Sequence, residues 1–195
     1  TESLKNIFDE NISIPDFFRD AYLSGDTLSG AVRKYMNSLF GEYGLITFEP
    51  NSKRMKGLIQ DIMVDDIVNN TIEKIEKSSD SESEVYVRKI NFFYQGSDFR
   101  NRIEKSDKYN ILSSKFSFSE IEIKDKIESS PDSFSPNVIT RCLYQQKILP
   151  NVCYVGGPAE IVYWQSFIKF FSHYKIQYPV LIPRDFVLLL NRKTQ

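Results

Sequence analysis

Asn151-Val152-Cys153-Tyr154-Val155-Gly156-Gly157-Pro158-Ala159-Glu160-Ile161-Val162-Tyr163-Trp164 is the stretch on which the reading of this chain turns. Its first part is apolar, with β-branched Val152 and Val155, and predicts a short buried strand. Gly156-Gly157 predicts a tight turn. Pro158 suits the first helical position, where a backbone N–H would lack a partner anyway. Ile161, Trp164, Ile168 and Phe171 then recur at helical spacing, with Phe167 and Tyr174 widening the stripe, so one helix is expected from Pro158 to Tyr174. Strand, glycine turn and helix place free N–H groups at the carboxyl end of a strand, where open α/β sheets bind ligands. Glycine lets a ligand approach the backbone closely, but a turn that needs glycine for its own geometry reads the same way.

Downstream, Pro179-Val180-Leu181-Ile182 predicts a second strand, ended at Pro183-Arg184, and Phe186 to Leu190 reads as extended. Two strands joined by one helix should be parallel, with a right-handed crossover. Gly156, Gly157 and Arg184 then share one rim. An arginine fork suits a carboxylate or phosphate, and an ion pair with Asp185 explains Arg184 equally well. Glu160 falls at the third helical position, where a carboxylate caps free N–H groups and favours the helix dipole. Facing a ligand instead, it would suit an amine or hydroxyls.

Upstream, Ser135-Pro136 reads as the N-cap and first residue of a helix that Pro150 stops. Asn137, Arg141 and Gln145 recur every four residues and so share one face, either simply the wet side or one wall of a pocket. Cys142 and Cys153 fit no zinc or redox spacing and read as small buried apolar side chains in a reducing cytoplasm. His173, the single histidine, is a poor catalytic or metal candidate. No P-loop, serine triad or zinc cluster is present, and no metal is expected.

The first part of the chain predicts short helices over Leu4 to Phe8 and Phe17 to Leu23. A longer one opens at Gly25-Asp26-Thr27 and closes at Gly41 and Gly44, followed by a strand at Leu45-Ile46-Thr47-Phe48. Arg54 to Lys77 is a long helical pattern whose apolar face is interrupted by Asp65-Asp66. That pair reads as a solvated bend or helix start rather than a metal or acid/base pair. Ser78 to Ser83 is a polar boundary. Beyond it, Val85-Tyr86-Val87, Ile90 to Tyr94, Arg102-Ile103-Glu104, Tyr109 to Leu112 and Lys115 to Phe118 are strand-like, a small antiparallel sheet inserted between α/β units. The expected organisation is therefore 1–83, 84–132 and 133–195.

Arg88, Lys89, Arg100, Arg102 and Lys105 interleave with Phe92, Phe93, Tyr94 and Phe99, a mix used by single-stranded nucleic-acid platforms. Neighbouring acids dilute it, and across 195 residues 25 Lys and Arg face 26 Asp and Glu. Nucleic acid is accordingly not an expected partner, and amphipathic strands account for the same residues. A hydrophobic content of 41% excludes a disordered chain. No apolar run has the length of a membrane span, and no signal peptide is visible. Thr1 in place of Met reads as a piece cut from a longer chain.

Phe134-Ser135-Pro136-Asn137-Val138, Arg141, Tyr144-Gln145 and Ile148-Leu149-Pro150-Asn151 continue into Tyr154-Val155-Gly156-Gly157-Pro158, Glu160-Ile161 and Tyr163-Trp164. This block resembles the bacillithiol-biosynthesis cysteine-adding enzyme family, BshC. Leu39-Phe40-Gly41-Glu42-Tyr43-Gly44-Leu45, Ile90 to Tyr94 and Pro179 to Arg184 agree with it. Cys142 and Cys153 depart from the family's frequent proline and alanine, and Ala159 from a frequent glycine. The resemblance implies a cytoplasmic bacterial enzyme. Its fold would be α/β, a Rossmann-like parallel-sheet core with an inserted small antiparallel subdomain, incomplete at both ends here. A C-terminal coiled coil in the full-length protein makes a homodimer possible. The implied reaction joins the carboxyl group of cysteine to the amine of glucosaminyl-malate, both small-molecule substrates, with ATP as the expected co-substrate. The chain matches the middle of such an enzyme and is expected to be inactive alone.

On that reading Gly156 and Gly157 let substrate reach the backbone, Arg184 pairs with a malate carboxylate or a phosphate, and Glu160 orients or deprotonates the amine. Asn137, Arg141, Gln145 and Tyr163 complete the substrate-binding set. The alternative is a nucleotide or sugar-phosphate binding module of the same fold without ligase chemistry.

Overall fold

The computed structural model describes residues 14–24 and 27–188. The helix expected over Leu4 to Phe8 and the end of the Phe186 to Leu190 run lie outside them. The chain divides into two compact units at Pro50/Asn51. In the first, α1 (Asp16–Leu23) and α2 (Leu28–Phe40) form a pair. Buried Ala21 and Ala31 have no bulk to hold the helices apart, and Phe18 stacks on Tyr22 and meets Tyr35 edge-on. The Thr27 hydroxyl caps α2 by accepting from the Gly30 N–H at 3.0 Å. Gly44, at φ 82°, ends the 3₁₀ turn Gly41–Tyr43. Leu45 to Phe48 is irregular, not the strand expected, because the described part of this unit offers no strand for it to pair with.

The second unit opens with α3 (Lys53–Gly57), α4 (Gln60–Asn69) and α5 (Thr71–Ser78) in place of one long helix. Asn70 sits at φ 55°, a left-handed conformation that asparagine tolerates, and its side chain donates to the Lys89 carbonyl at 2.9 Å. Next come β1 (Phe92–Gln95), β2 (Arg100–Lys105), β3 (Tyr109–Ile111), β4 (Ser117–Phe118), α6 (Glu120–Ser129) and β5 (Phe134–Pro136). These strands make an antiparallel sheet of order β4-β3-β2-β1-β5. Val85 to Val87 is not a strand. Ser135 and Pro136 belong to β5, and Asn137, not Ser135, caps α7 (Val138–Ile148).

Then β6 (Cys153–Gly156) leads into α8 (Pro158–Ser166) and α9 (Ile168–His173), which break at Phe167, and β7 (Val180–Pro183) pairs with β6 in parallel. The strand–helix–strand α/β unit is thus present. A single apolar core gathers Ile59, Ile62, Met63, Ile67 and Ile72 from α3–α5 and their connections, Phe92, Tyr94, Ile103, Tyr109 and Ile111 from the sheet, and Trp164, Phe167, Phe170 and Phe171 from α8–α9.

Asp66 is fully buried, contrary to the solvated bend expected. Its carboxylate accepts from the Asn91 N–H at 2.6 Å and from Asn91 Nδ2 at 2.9 Å. A buried carboxylate is tolerated only with such donors. Cys142 is buried as expected, but Cys153 is exposed because its face of the β6–β7 pair is uncovered. Among the described residues no helix is long and apolar enough to cross a membrane.

Candidate functional site: the β6–β7 rim

The carboxyl ends of β6 and β7 meet where Gly156 pairs with Pro183, and the Arg184 N–H donates to the Gly156 carbonyl at 2.9 Å. That ladder bond fixes Arg184 beside the start of α8. Its guanidinium lies over Gly157, where an added Cβ would stand 3.2 Å from Nη2. A Cβ on Gly156 would stand 2.6 Å from the Tyr154 ring. Close approach of the Tyr154 ring calls for glycine at 156, whereas at 157 the approaching group is the movable end of exposed Arg184. Both glycines are buried, with the Tyr154 ring beside Gly156 and the Arg184 guanidinium beside Gly157.

Glu160 caps the turn. Its Oε2 accepts from the Gly157 N–H at 2.8 Å and its Oε1 from the Tyr154 hydroxyl at 3.2 Å. The Gly157 N–H foremost, then Tyr154, Arg141 and Arg184, hold its carboxyl below the usual range, so it stays ionised. Burial foremost, with the Glu160 charge, pushes the Tyr154 hydroxyl up, which keeps it a neutral donor. Arg141, one turn into α7, donates through Nη2 to the Tyr163 hydroxyl at 2.8 Å and through Nη1 to Gln145 Oε1 at 3.2 Å. It also engages the Tyr154 hydroxyl. Gln145, Arg141, Tyr163, Tyr154, Glu160 and Arg184 thus form one polar array along the rim.

Asn137 is not part of that array. Its Oδ1 accepts from the N–H groups of Ile139 and Thr140, and its Nδ2 donates to Asn91 Oδ1 at 3.0 Å. Those bonds commit it to capping α7 and to the buried network around Asp66. Arg184 forms no ion pair with Asp185 among the described residues. Tyr154 joins the rim as a member that strand-core reasoning passed over. Its ring stacks on Trp164 at 4.4 Å while its hydroxyl reaches Glu160. The available signal was a tyrosine in the strand leading straight into a helix with a carboxylate at its third position.

No group of His, Cys, Asp or Glu among the described residues could hold a metal. Burial pushes the Cys142 thiol up to about 12, which leaves it unreactive near neutrality. A triphosphate does not fit at this turn, because the Gly157 N–H is already taken and the Glu160 carboxylate occupies the positive end of α8. What the rim offers is a fixed negative charge for an ammonium or hydroxyl, with the exposed Arg184 guanidinium beside it for an anion.

Residues 2–185 match the family model described as "Bacillithiol biosynthesis BshC, N-terminal Rossmann-like domain". The chain is 37% identical over 187 residues to a protein of Flavobacterium johnsoniae named "Putative cysteine ligase BshC", covering 93% of this chain and 35% of that protein. A Cytophaga hutchinsonii protein of the same name is 36% identical over 202 residues, 99% of this chain and 38% of that protein. A third, from Flavobacterium psychrophilum, is 35% identical over 188 residues, with 93% and 35% covered. The chain spans about a third of the length of the curated relatives it matches. The fold, the glycine turn and these matches agree, and the chain belongs to the BshC family, in its Rossmann-like domain.

Proposed function

We propose that the β6–β7 rim is part of the acceptor side of a ligase that joins the carboxyl group of cysteine to the amine of glucosaminyl-malate. The reading draws the ligation of cysteine from the relatives' name, the acceptor from the family resemblance, and its anchors from the capping Glu160 carboxylate and the exposed Arg184 guanidinium at the same turn. An acceptor that is both an amine and a dicarboxylate needs a negative and a positive anchor a short distance apart, and the rim presents both. Glu160 uses one hydrogen bond on each oxygen, and a carboxylate has lone pairs left for an ammonium. Its depressed pKa makes it a weak proton acceptor. Its role is to hold and orient the amine, while Arg184 takes a malate carboxylate through its fork. Arg141 fixes Tyr163 and Tyr154 behind them.

In the joining step the amine nitrogen forms a bond to the cysteine acyl carbon. The leaving group departs with its electron pair, and the nitrogen gives up two protons to water, one before attack as the ammonium becomes a free amine and one after the bond has formed. ATP is the co-substrate we assign to the prior activation of that carboxyl group. The turn does not hold its phosphates, so no step here passes through it.

The test is steady-state kinetics of Arg184→Ala in the full-length protein. Loss of a charge-assisted fork costs about 1.5–3 kcal/mol, roughly a 10- to 150-fold effect. The expected result is a rise of that size in the Michaelis constant for glucosaminyl-malate, with a smaller change in kcat. An unchanged constant overturns the anion-anchor role.

A further inference from the structure

The rim leaves unused the cationic run between Arg88 and Lys105. In β2, exposed Arg100, Arg102 and Glu104 alternate with half-buried Asn101 and buried Ile103, as in an amphipathic strand, and the exposed side also borders two clefts. A cleft of about 280 Å³ is walled by Tyr86, Arg88, Lys89, Phe93, Arg102 and Lys105. A second, of about 460 Å³, adds Arg100 and Arg141 to Tyr86, Arg88 and Phe93. Because Tyr86, Arg88, Phe93 and Asn137 border both, the two are halves of one groove.

Six cations line this groove, with Glu104 as its one acid, in a chain of net charge −1. None of the four arginines has an ion pair among the described residues, and Lys105 reaches Glu120 only at 3.6 Å. Like charges gathered with a single acid repel one another, a cost set against the hydrogen bonds and ring contacts that hold Arg100, Arg141 and Arg88. The positions are nevertheless held. The Arg100 guanidinium lies 3.8 Å over the Phe93 ring and donates to Ser135 Oγ and the Pro136 carbonyl, each at 2.8 Å. Arg88 lies 5.1 Å over the Tyr86 ring. A concave, low-dielectric wall focuses the field of such charges on whatever enters. A cleft of a few hundred cubic ångströms suits a small ligand.

We propose that this groove binds a small molecule carrying two or more phosphate or carboxylate groups. The charges are answered by the ligand's anionic groups, with arginine forks fitting phosphate and carboxylate alike. The inference stands on the groove and does not depend on the ligase reading.

Calorimetry on the full-length protein tests it, with pyrophosphate and malate as separate probes and a short single-stranded oligonucleotide as a third. Pyrophosphate or malate is expected to bind with a salt-sensitive Kd. Arg88→Gln and Arg102→Gln should each weaken binding about tenfold or more and Arg102→Lys less, all measured in the Arg184→Ala background so that malate held at the rim does not contribute. The tighter of the two small probes identifies phosphate or carboxylate as the natural group. The proposal is overturned if neither probe binds, if Arg88→Gln and Arg102→Gln bind as the unaltered protein does, or if the oligonucleotide binds more tightly than both. Because the groove is titrated in the Arg184→Ala background and the rim is read by the Michaelis constant of Arg184→Ala, failure of one reading leaves the other measurable.

Discussion

The antiparallel sheet and the parallel pair are made of equally short strands but are covered very differently. In the first, Phe92, Tyr94, Ile103, Tyr109, Ile111 and Phe134 are all buried. The sheet is also pinned by polar groups. Asn91, just before β1, bonds Asp66 on α4, Asn137 at the start of α7 and the Thr140 hydroxyl. In the second, Tyr154 and Leu181 face the core while Val155, Val180 and Ile182 on the other face are 58%, 63% and 43% exposed. Parallel strands are normally covered on both faces. The pair therefore leans on one helix, through the Tyr154–Trp164 stack, and the candidate rim stands on this less-covered half. Binding segments are commonly drawn from the less stable end of a structure.

The comparison breaks most visibly if the antiparallel half is not the anchor. Phe134 is fully buried, meets Tyr94 edge-on at 5.5 Å, and its carbonyl accepts from the buried Lys56 ammonium. Phe134→Ala should cost about 3–5 kcal/mol in denaturant unfolding. A loss below about 1 kcal/mol, the size of a surface change, would mean the core is held elsewhere.

Asp66 sharpens the same point through pH. Burial foremost raises its carboxyl from 3.8 to about 7, against the two Asn91 donors. Between those values the folded protein keeps a proton that the unfolded chain has released. Stability attributable to this group is full below about pH 4 and falls as pH rises to about 7, by on the order of 4 kcal/mol. Asp66→Asn should flatten stability against pH in that window relative to the unaltered protein. Parallel curves for the two proteins would remove Asp66 from the account.

The local grammar of the second half was readable in the sequence: strand, glycine turn, proline-led helix, second strand, with Arg184 delivered to the turn and Glu160 at a capping position. These depend on residues a few positions apart or on one crossover. Where the partner is remote, the same reasoning had no purchase. Asp66 looks like a surface acid because its donor, Asn91, lies on another segment. Cys153 and Val155 look buried because a β-branched run carries no mark of which face is covered. The break at Asn70 is marked locally, since asparagine tolerates a left-handed cap, but the helical spacing of Val68, Ile72 and Ile75 runs straight across it. The cationic groove was legible as composition only. The gathering of Arg102 and Arg141 on two clefts that share Arg88 needs the fold.

Gly156→Ala tests the parallel pair by itself. Gly156 is not at a positive φ, so an alanine backbone is unstrained and the whole effect comes from space. The new methyl group would stand 2.6 Å from the Tyr154 ring. That ring is held between the Trp164 indole and the Glu160 carboxylate, so it must leave both. Overpacking of this kind costs about 1–3 kcal/mol. Hydrogen exchange should show the β6–β7 ladder amides of Tyr154 and Ile182 losing protection while Tyr94 and Ile103 in the antiparallel sheet keep theirs. Equal loss in both sheets would mean that they open as one cooperative unit and that the difference in cover has no energetic counterpart.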